Sequence, residues 1–271
     1  MTFEETFFGR PNTTKCYTSL YRKHIKPHVE QADVLNWNNE MTLFMLDLWR
    51  QEKLARGTQI TLVRLLGRYV AFKKGPTIDT KQFIRNLERS EQTKETKALS
   101  RDEAVKLMES AKKLEPKFYP VLLLGLHAGL RRGEIFGLRC EDIDVLKNRI
   151  RVAHSYNGPT KNGKTRFVPI SKELNRVLVG ARNLLLRPPQ EVVFELFDPN
   201  PVLRRLCTHA GVKQIRFHDL RHSFATLALE DGTSPKQVQI WLGHSSLNTT
   251  LTVYWNLIEE NANLDFLPEI R

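Results

Sequence analysis

The segment Asn148-Arg-Ile-Arg-Val-Ala-His-Ser-Tyr-Asn-Gly-Pro-Thr-Lys-Asn-Gly-Lys-Thr-Arg-Phe-Val-Pro-Ile170 breaks the rhythm of the chain around it. Its ends, Asn148–His154 and Thr165–Ile170, are short β-branched runs, and Gly158-Pro159 and Asn162-Gly163 stand between them. That pattern predicts a β-hairpin. On both sides apolar residues return every three or four positions, which is helical spacing. Downstream, helices are expected at Lys172–Leu186, around Pro201–Ala210, at Asp219–Glu230 and at Pro235–Leu242. Upstream they are expected at Arg101–Lys113 and Tyr119–Phe136, the former opened by a Ser100–Glu103 capping box with Leu99 as its hydrophobic staple. Thr18–Lys26, Glu40–Arg56, Thr61–Lys74 and a short helix around Phe83 and Leu87 complete the pattern. The class is mainly α with a small antiparallel β-sheet.

The 271 residues suffice for one large domain or two ordinary ones. Arg89–Lys97 contains no apolar residue and cannot join a core, so the division expected is 1–90, a linker at 91–98, and 99–271 with a C-terminal tail. Lysine and arginine number 42 against 30 acidic residues, a net charge of +12. The excess is shared: residues 1–96 carry 16 basic and 11 acidic side chains, the remainder 26 and 19. Both parts thus suit one polyanion, nucleic acid ahead of an anionic membrane. The longest apolar run, Val121–Leu126, is far short of the roughly 20 residues of a membrane span. Glu4 and Glu5 interrupt any secretory leader, and three scattered cysteines offer neither a disulfide framework nor a Cys-x-x-Cys zinc site. A reducing, cytoplasmic setting is expected.

Four segments carry candidate chemistry. In Ala128-Gly-Leu-Arg131-Arg-Gly-Glu134, Arg131 and Glu134 stand three apart, so on a helix the carboxylate can hold the guanidinium; by itself such a pair is usually a surface salt bridge. In Thr160-Lys161-Asn-Gly-Lys164, a hairpin turn can project a lysine, although most turn lysines are merely solvated. His218, Arg221 and His222 share a helical face, a concentration of positive charge that a phosphate would compensate. A zinc site on the two histidines lacks a further ligand and has a guanidinium between them. Trp241-Leu-Gly-His244 is followed by a polar stretch and Tyr254.

Together, in this order, the segments closely resemble the tyrosine recombinase, or phage integrase, family. Its signature is an Arg in a Gly-Leu-Arg-x-x-Glu context, a hairpin Lys, His-x-x-Arg, Leu-Gly-His and a Tyr near the C-terminus. Arg131, Lys161, His218, Arg221, His244 and Tyr254 match, and Val168-Pro169-Ile170 resembles the family's Val-Pro-Leu. The resemblance spans the chain, with a helical core-binding domain followed by a catalytic domain. Two departures stand out. Tyr254 follows His244 by ten residues where many members have nine, and, with the core-binding resemblance starting near residue 12, the arm-binding domain of some integrases is not expected in this stretch.

The resemblance implies cleavage of duplex DNA by transesterification. Tyr254 would attack the phosphate, forming a 3′-phosphotyrosyl bond and freeing a 5′-hydroxyl. Arg131 and Arg221 would bind the non-bridging oxygens, Lys161 would protonate the leaving oxygen, His218 would act as base, His244 would bind the phosphate, and Glu134 would orient the site. No cofactor is implied, neither nucleotide nor metal, consistent with the lack of an acidic metal cluster in the sequence. Implied partners are recombination sites in duplex DNA clamped by the two domains, a homo-tetramer assembled on them, and accessory DNA-bending or directionality factors. The tail apolar cluster, Leu264, Phe266 and Leu267, suits docking on a neighbour. Integration or excision of a mobile element or prophage is the expected role. Competing expectations are a non-catalytic DNA-binding protein of the same fold and a type IB topoisomerase-like relaxing enzyme.

Overall fold

The computed structural model describes residues 2–7, 9, 11–87, 98–160, 163–182, 186–244 and 246. The chain divides into two compact units, Met1–Lys94 and Glu95–Arg271.

The first unit is a set of helices, α1 (Pro11–His24), α2 (Lys26–Val29), α3 (Asn39–Gln51), α4 (Arg56–Phe72) and α5 (Thr80–Arg85). Local chemistry sets their starts. The Asn38 side chain accepts from the Met41 N–H at 2.9 Å, and Asp79 accepts from Lys81 and Gln82, each at 3.1 Å. The expected helix Glu40–Arg56 stops at Gln51 because Lys53 adopts φ 53°, in the left-handed region that ends a helical run. α4 therefore begins earlier than the Thr61 expected. Ile25, Met45, Trp49, Leu62 and Leu66 fill the centre.

The second unit opens with α6 (Arg101–Leu114). Its expected capping box is present: Ser100 Oγ accepts from the Glu103 N–H at 3.2 Å, and Glu103 Oε2 from the Ser100 N–H at 2.8 Å. α7 (Tyr119–His127) is apolar nearly all round and buried from Tyr119 to Leu126, making it the central helix of this unit. The expected single helix Tyr119–Phe136 is broken here. Gly129 takes φ 61°, and a separate short α8 (Arg132–Ile135) starts after it. A Cβ at Gly129 would lie 2.5 Å from Cδ1 of Phe224 and 2.7 Å from Cδ2 of Leu242, so only glycine lets the chain turn this close to its neighbours.

The expected hairpin is the pairing of β2 (Arg149–Val152) with β5 (Arg166–Pro169), antiparallel, with Ile150 opposite Val168 and Val152 opposite Arg166. β1 (Ile143–Asp144) extends this sheet on the other side of β2. β3 (His154–Ser155) and β4 (Gly158–Pro159) form a small ladder within the connection. Among the described residues the helices that follow are α9 (Lys172–Arg182), α10 (Asn200–Ala210), α11 (Asp219–Glu230) and α12 (Pro235–Leu242). α9 was expected to reach Leu186, and residues 183–185 lie outside the described residues. So do nearly all of the linker at 91–98 and the tail cluster Leu264, Phe266 and Leu267. No described helix is long and apolar enough to cross a membrane.

Candidate active site

The break after α7 makes Arg131 the N-cap residue of α8, with Glu134 as the third helical residue folding back on it. Glu134 Oε2 accepts from the Arg131 N–H at 2.9 Å, and Oε1 from Arg131 Nη1 at 2.8 Å. Glu134 is only 3% exposed, so this is not the solvated pair that the spacing ordinarily makes. From β5, Arg166 meets the same carboxylate fork to fork, Nη1 to Oε1 at 2.9 Å and Nη2 to Oε2 at 2.8 Å. Arg221 brings a third guanidinium, with Nη1 at 3.9 Å from Oε2. Burial alone would raise the Glu134 pKa, but Arg166 and Arg131 hold it at about 2. One buried anion thus gathers three cations.

Arg221 lies in the first turn of α11 and is itself buried. Its Nη1 donates to the Gly129 carbonyl at 2.7 Å and its Nη2 to the carbonyl of Leu242. The side chain therefore fastens the turn before α8 to the end of α12. Burial and the field of Arg131 weigh against its charge while Glu134 supports it. A guanidinium stays protonated under such opposition.

His218 caps α11, and His222 stands one turn on, their rings edge to face with centroids 5.2 Å apart. The His218 side chain reaches solvent. Even so, the protein around it, then His222, Arg221 and Arg131, push its pKa down to about 4, with Asp219 pulling the other way. Asp219 is buried and holds the start of α11 through the Arg216 backbone N–H at 2.8 Å and Arg216 Nη2 at 3.0 Å. His244 follows Gly243, whose φ of 63° ends α12. Burial, then Arg221 and Arg131, also lower His244 to about 4. Both imidazoles are neutral at neutral pH.

Of these groups Arg131, Arg166 and His244 line a cleft of about 610 Å³, together with Thr160, Lys164 and Lys236. Of the residues singled out in the sequence, Arg131 and Arg221 meet Glu134, and the same two arginines act on both His218 and His244. Lys161 and Tyr254 lie outside the described residues. Arg166 was not singled out. A signal existed: Arg166 and Val168 alternate onto one face of β5, and a cation heading a buried face requires an anion. The sequence suggested no acidic metal cluster. The structure instead brings donor atoms of Glu141, Asp142 and His154 within 4.8 Å of one another, with Arg151 bonded to both carboxylates.

A cationic cleft with Arg131 and Arg166 mounted on one buried carboxylate, and the neutral His244 imidazole alongside, has the chemistry to accept a phosphoryl group. Residues 97–261 match the model of the phage integrase family, and the chain belongs to that family. It is 32% identical over 176 residues to tyrosine recombinase XerA of Saccharolobus solfataricus, covering 64% of this chain and 57% of the relative. It is 34% identical over 167 residues to XerA of Pyrococcus furiosus, covering 57% and 55%. The match thus spans little more than half the length of these relatives. In three dimensions the chain is similar to an integrase of the Tn1549 transposon solved with transposon right-end DNA. The TM-score is 0.78 at 18% identity, over 97% of this chain and 100% of the other.

Proposed function

We propose that this protein is a site-specific DNA recombinase that exchanges strands through a 3′-phosphotyrosyl intermediate. The observation that carries the reading is the convergence of Arg131 and Arg221, 90 positions apart in sequence, on the single buried carboxylate of Glu134. Their charge opposes that which builds on the non-bridging oxygens as the phosphate is attacked. Tyr254 is the nucleophile and its phenolic proton passes to His218, which is neutral at working pH because its pKa is near 4. Lys161 protonates the 5′-oxygen as it leaves; Thr160 and Lys164, which flank it in sequence, line the cleft. His244 binds the phosphate, and Glu134 orients the two arginines. A 5′-hydroxyl of another strand then displaces the tyrosine. One ester is exchanged for another, so no nucleotide is consumed.

In this reading residues 1–90 bind DNA, 99–271 hold the chemistry, and four copies assemble on two duplex sites. The test is a nicked duplex bearing the site that the full chain selects from a random-sequence library. The wild type forms a covalent protein–DNA adduct on it, and Tyr254→Phe forms none while binding with unchanged affinity. An adduct that persists in Tyr254→Phe overturns the assignment of the nucleophile. Efficient relaxation of a supercoiled plasmid lacking the site points instead to a topoisomerase.

A further inference from the structure

We propose that Arg166 is the positioning residue of this site, setting the plane of the Glu134 carboxylate and tying β5 to the end of α12 that carries His244. The inference rests on reading the cleft as a phosphodiester-exchange site.

Arg131 reaches one carboxylate oxygen of Glu134 with its side chain and the other with its backbone N–H, both from the head of α8. Arg166 adds two parallel bonds from β5, one to each oxygen, and so holds the carboxylate plane from a second element. Its remaining edge is used as well. Nε donates to the Trp241 carbonyl at 2.6 Å, three residues before His244. The bond spans 75 positions of sequence, and the pair with Glu134 spans 32. The side chain is 10% exposed, and a Cβ on Gly243 would lie 3.0 Å from Arg166 Cδ, so the end of α12 passes directly along the arginine. A lysine could supply the charge but neither the fork nor the Nε bond. Among the described residues, the charged groups facing Glu134 are Arg131 at the head of α8, Arg166 from β5 and Arg221 from α11.

Single-turnover cleavage of the selected nicked duplex, with DNA affinity measured in parallel, tests this in the full chain from about pH 8 to 5. Arg166→Gln is expected to cleave about a hundredfold more slowly at nearly unchanged affinity, the scale of a misplaced catalytic group. Its deficit should widen as the pH falls, because burial without Arg166 lifts the Glu134 carboxyl toward protonation. Arg166→Lys should remain slow but lose that widening, since the charge is restored and the fork is not. Should the glutamine variant not fold, slow cleavage by the lysine variant at unchanged affinity supports the proposal alone, and a wild-type rate in it overturns it. A deficit of Arg166→Gln equal at every pH also overturns it. So does a loss of affinity that matches the loss of rate, which would make Arg166 a direct phosphate contact. Failure of the wild type itself to form an adduct defeats the functional reading instead, so the two failures are distinguishable.

Discussion

The two units are held together by opposite means. In the first, Phe3 sits edge to face with Phe7, Tyr21 and Tyr69 at centroid distances of 4.9, 5.0 and 5.2 Å, over a core of aliphatic side chains. Its arginine and lysine ion pairs lie at the surface, as in Arg22–Glu4, where the arginine side chain is 64% exposed, and the buried His24 reaches outward to Glu52 at 2.7 Å. The second unit has an apolar centre of its own around α7, yet it also buries Glu134, Asp142, Asp219 and Arg221. Aromatic packing adds stability beyond the area it hides, whereas burying charge often costs as much as it returns. Charges kept inside against that cost are, among the described residues, a feature of the second unit, and Glu134 and Arg221 among them belong to the proposed site.

The strongest way to break this comparison is to make the same deletion in both units. Glu134→Gln strands three guanidiniums around a buried site and should destabilise the second unit by about 3–5 kcal/mol, the penalty for removing one partner of a buried pair. Glu4→Gln removes the partner of exposed Arg22 and should cost less than about 1 kcal/mol. Denaturant unfolding, followed separately in each unit by hydrogen exchange, measures both. Equal losses would show that burial does not separate the two pairs.

Acid should separate the units next. The Glu134 carboxyl falls from 4.5 to about 2, so its contribution is complete above pH 4.5 and disappears as the pH drops toward 2. The fall corresponds to on the order of 3 kcal/mol at about 1.4 kcal/mol per pH unit. His218 and His244, lowered from 6.5 to about 4, stay neutral in the folded unit while their unfolded counterparts bind protons. Stability is therefore lost between pH 6.5 and 4 as well. In the first unit the displaced carboxyl, Glu4, is at the surface, and Tyr21, pushed up to about 12 by burial, acts only above pH 10. Hydrogen exchange between pH 7 and 4 should show the second unit opening first. The same order of opening at every pH would contradict the assignment.

How much of this was legible beforehand follows from the range of each interaction. α11 and α12 have the expected bounds, because capping residues and three-to-four spacing act over a single turn. Arg131 and Glu134 were readable for the same reason, being three apart. The break between α7 and α8 was not, since the apolar rhythm runs through it. What enforces it is the approach of Phe224 and Leu242 to Gly129, residues about a hundred positions away. Arg166 escaped notice because its partners are distant in sequence and no local period links them. His218 and Arg221 were found through a family motif. The helical period showed only that they share a face, not that Arg221 reaches back to Gly129 and Leu242.

The smallest change asks whether stability and chemistry can be separated inside the second unit. Ser100 caps α6, and beside it the Leu99 N–H donates to Ser223 Oγ at 2.9 Å, on a helix that also carries Arg221. Ser100→Ala removes one capping bond and should cost about 1 kcal/mol. The hydroxyl is not among the groups that hold Glu134, so the rate of adduct formation at 25 °C should stay within about twofold of wild type, since a folded population of more than nine in ten survives such a loss in a domain of ordinary stability. A rate that fell together with the cap would mean that the ion cluster depends on the whole packing of the unit. A rate that held, beside the large fall expected from Arg166→Gln at unchanged affinity, would place the chemical demand on the buried charges themselves.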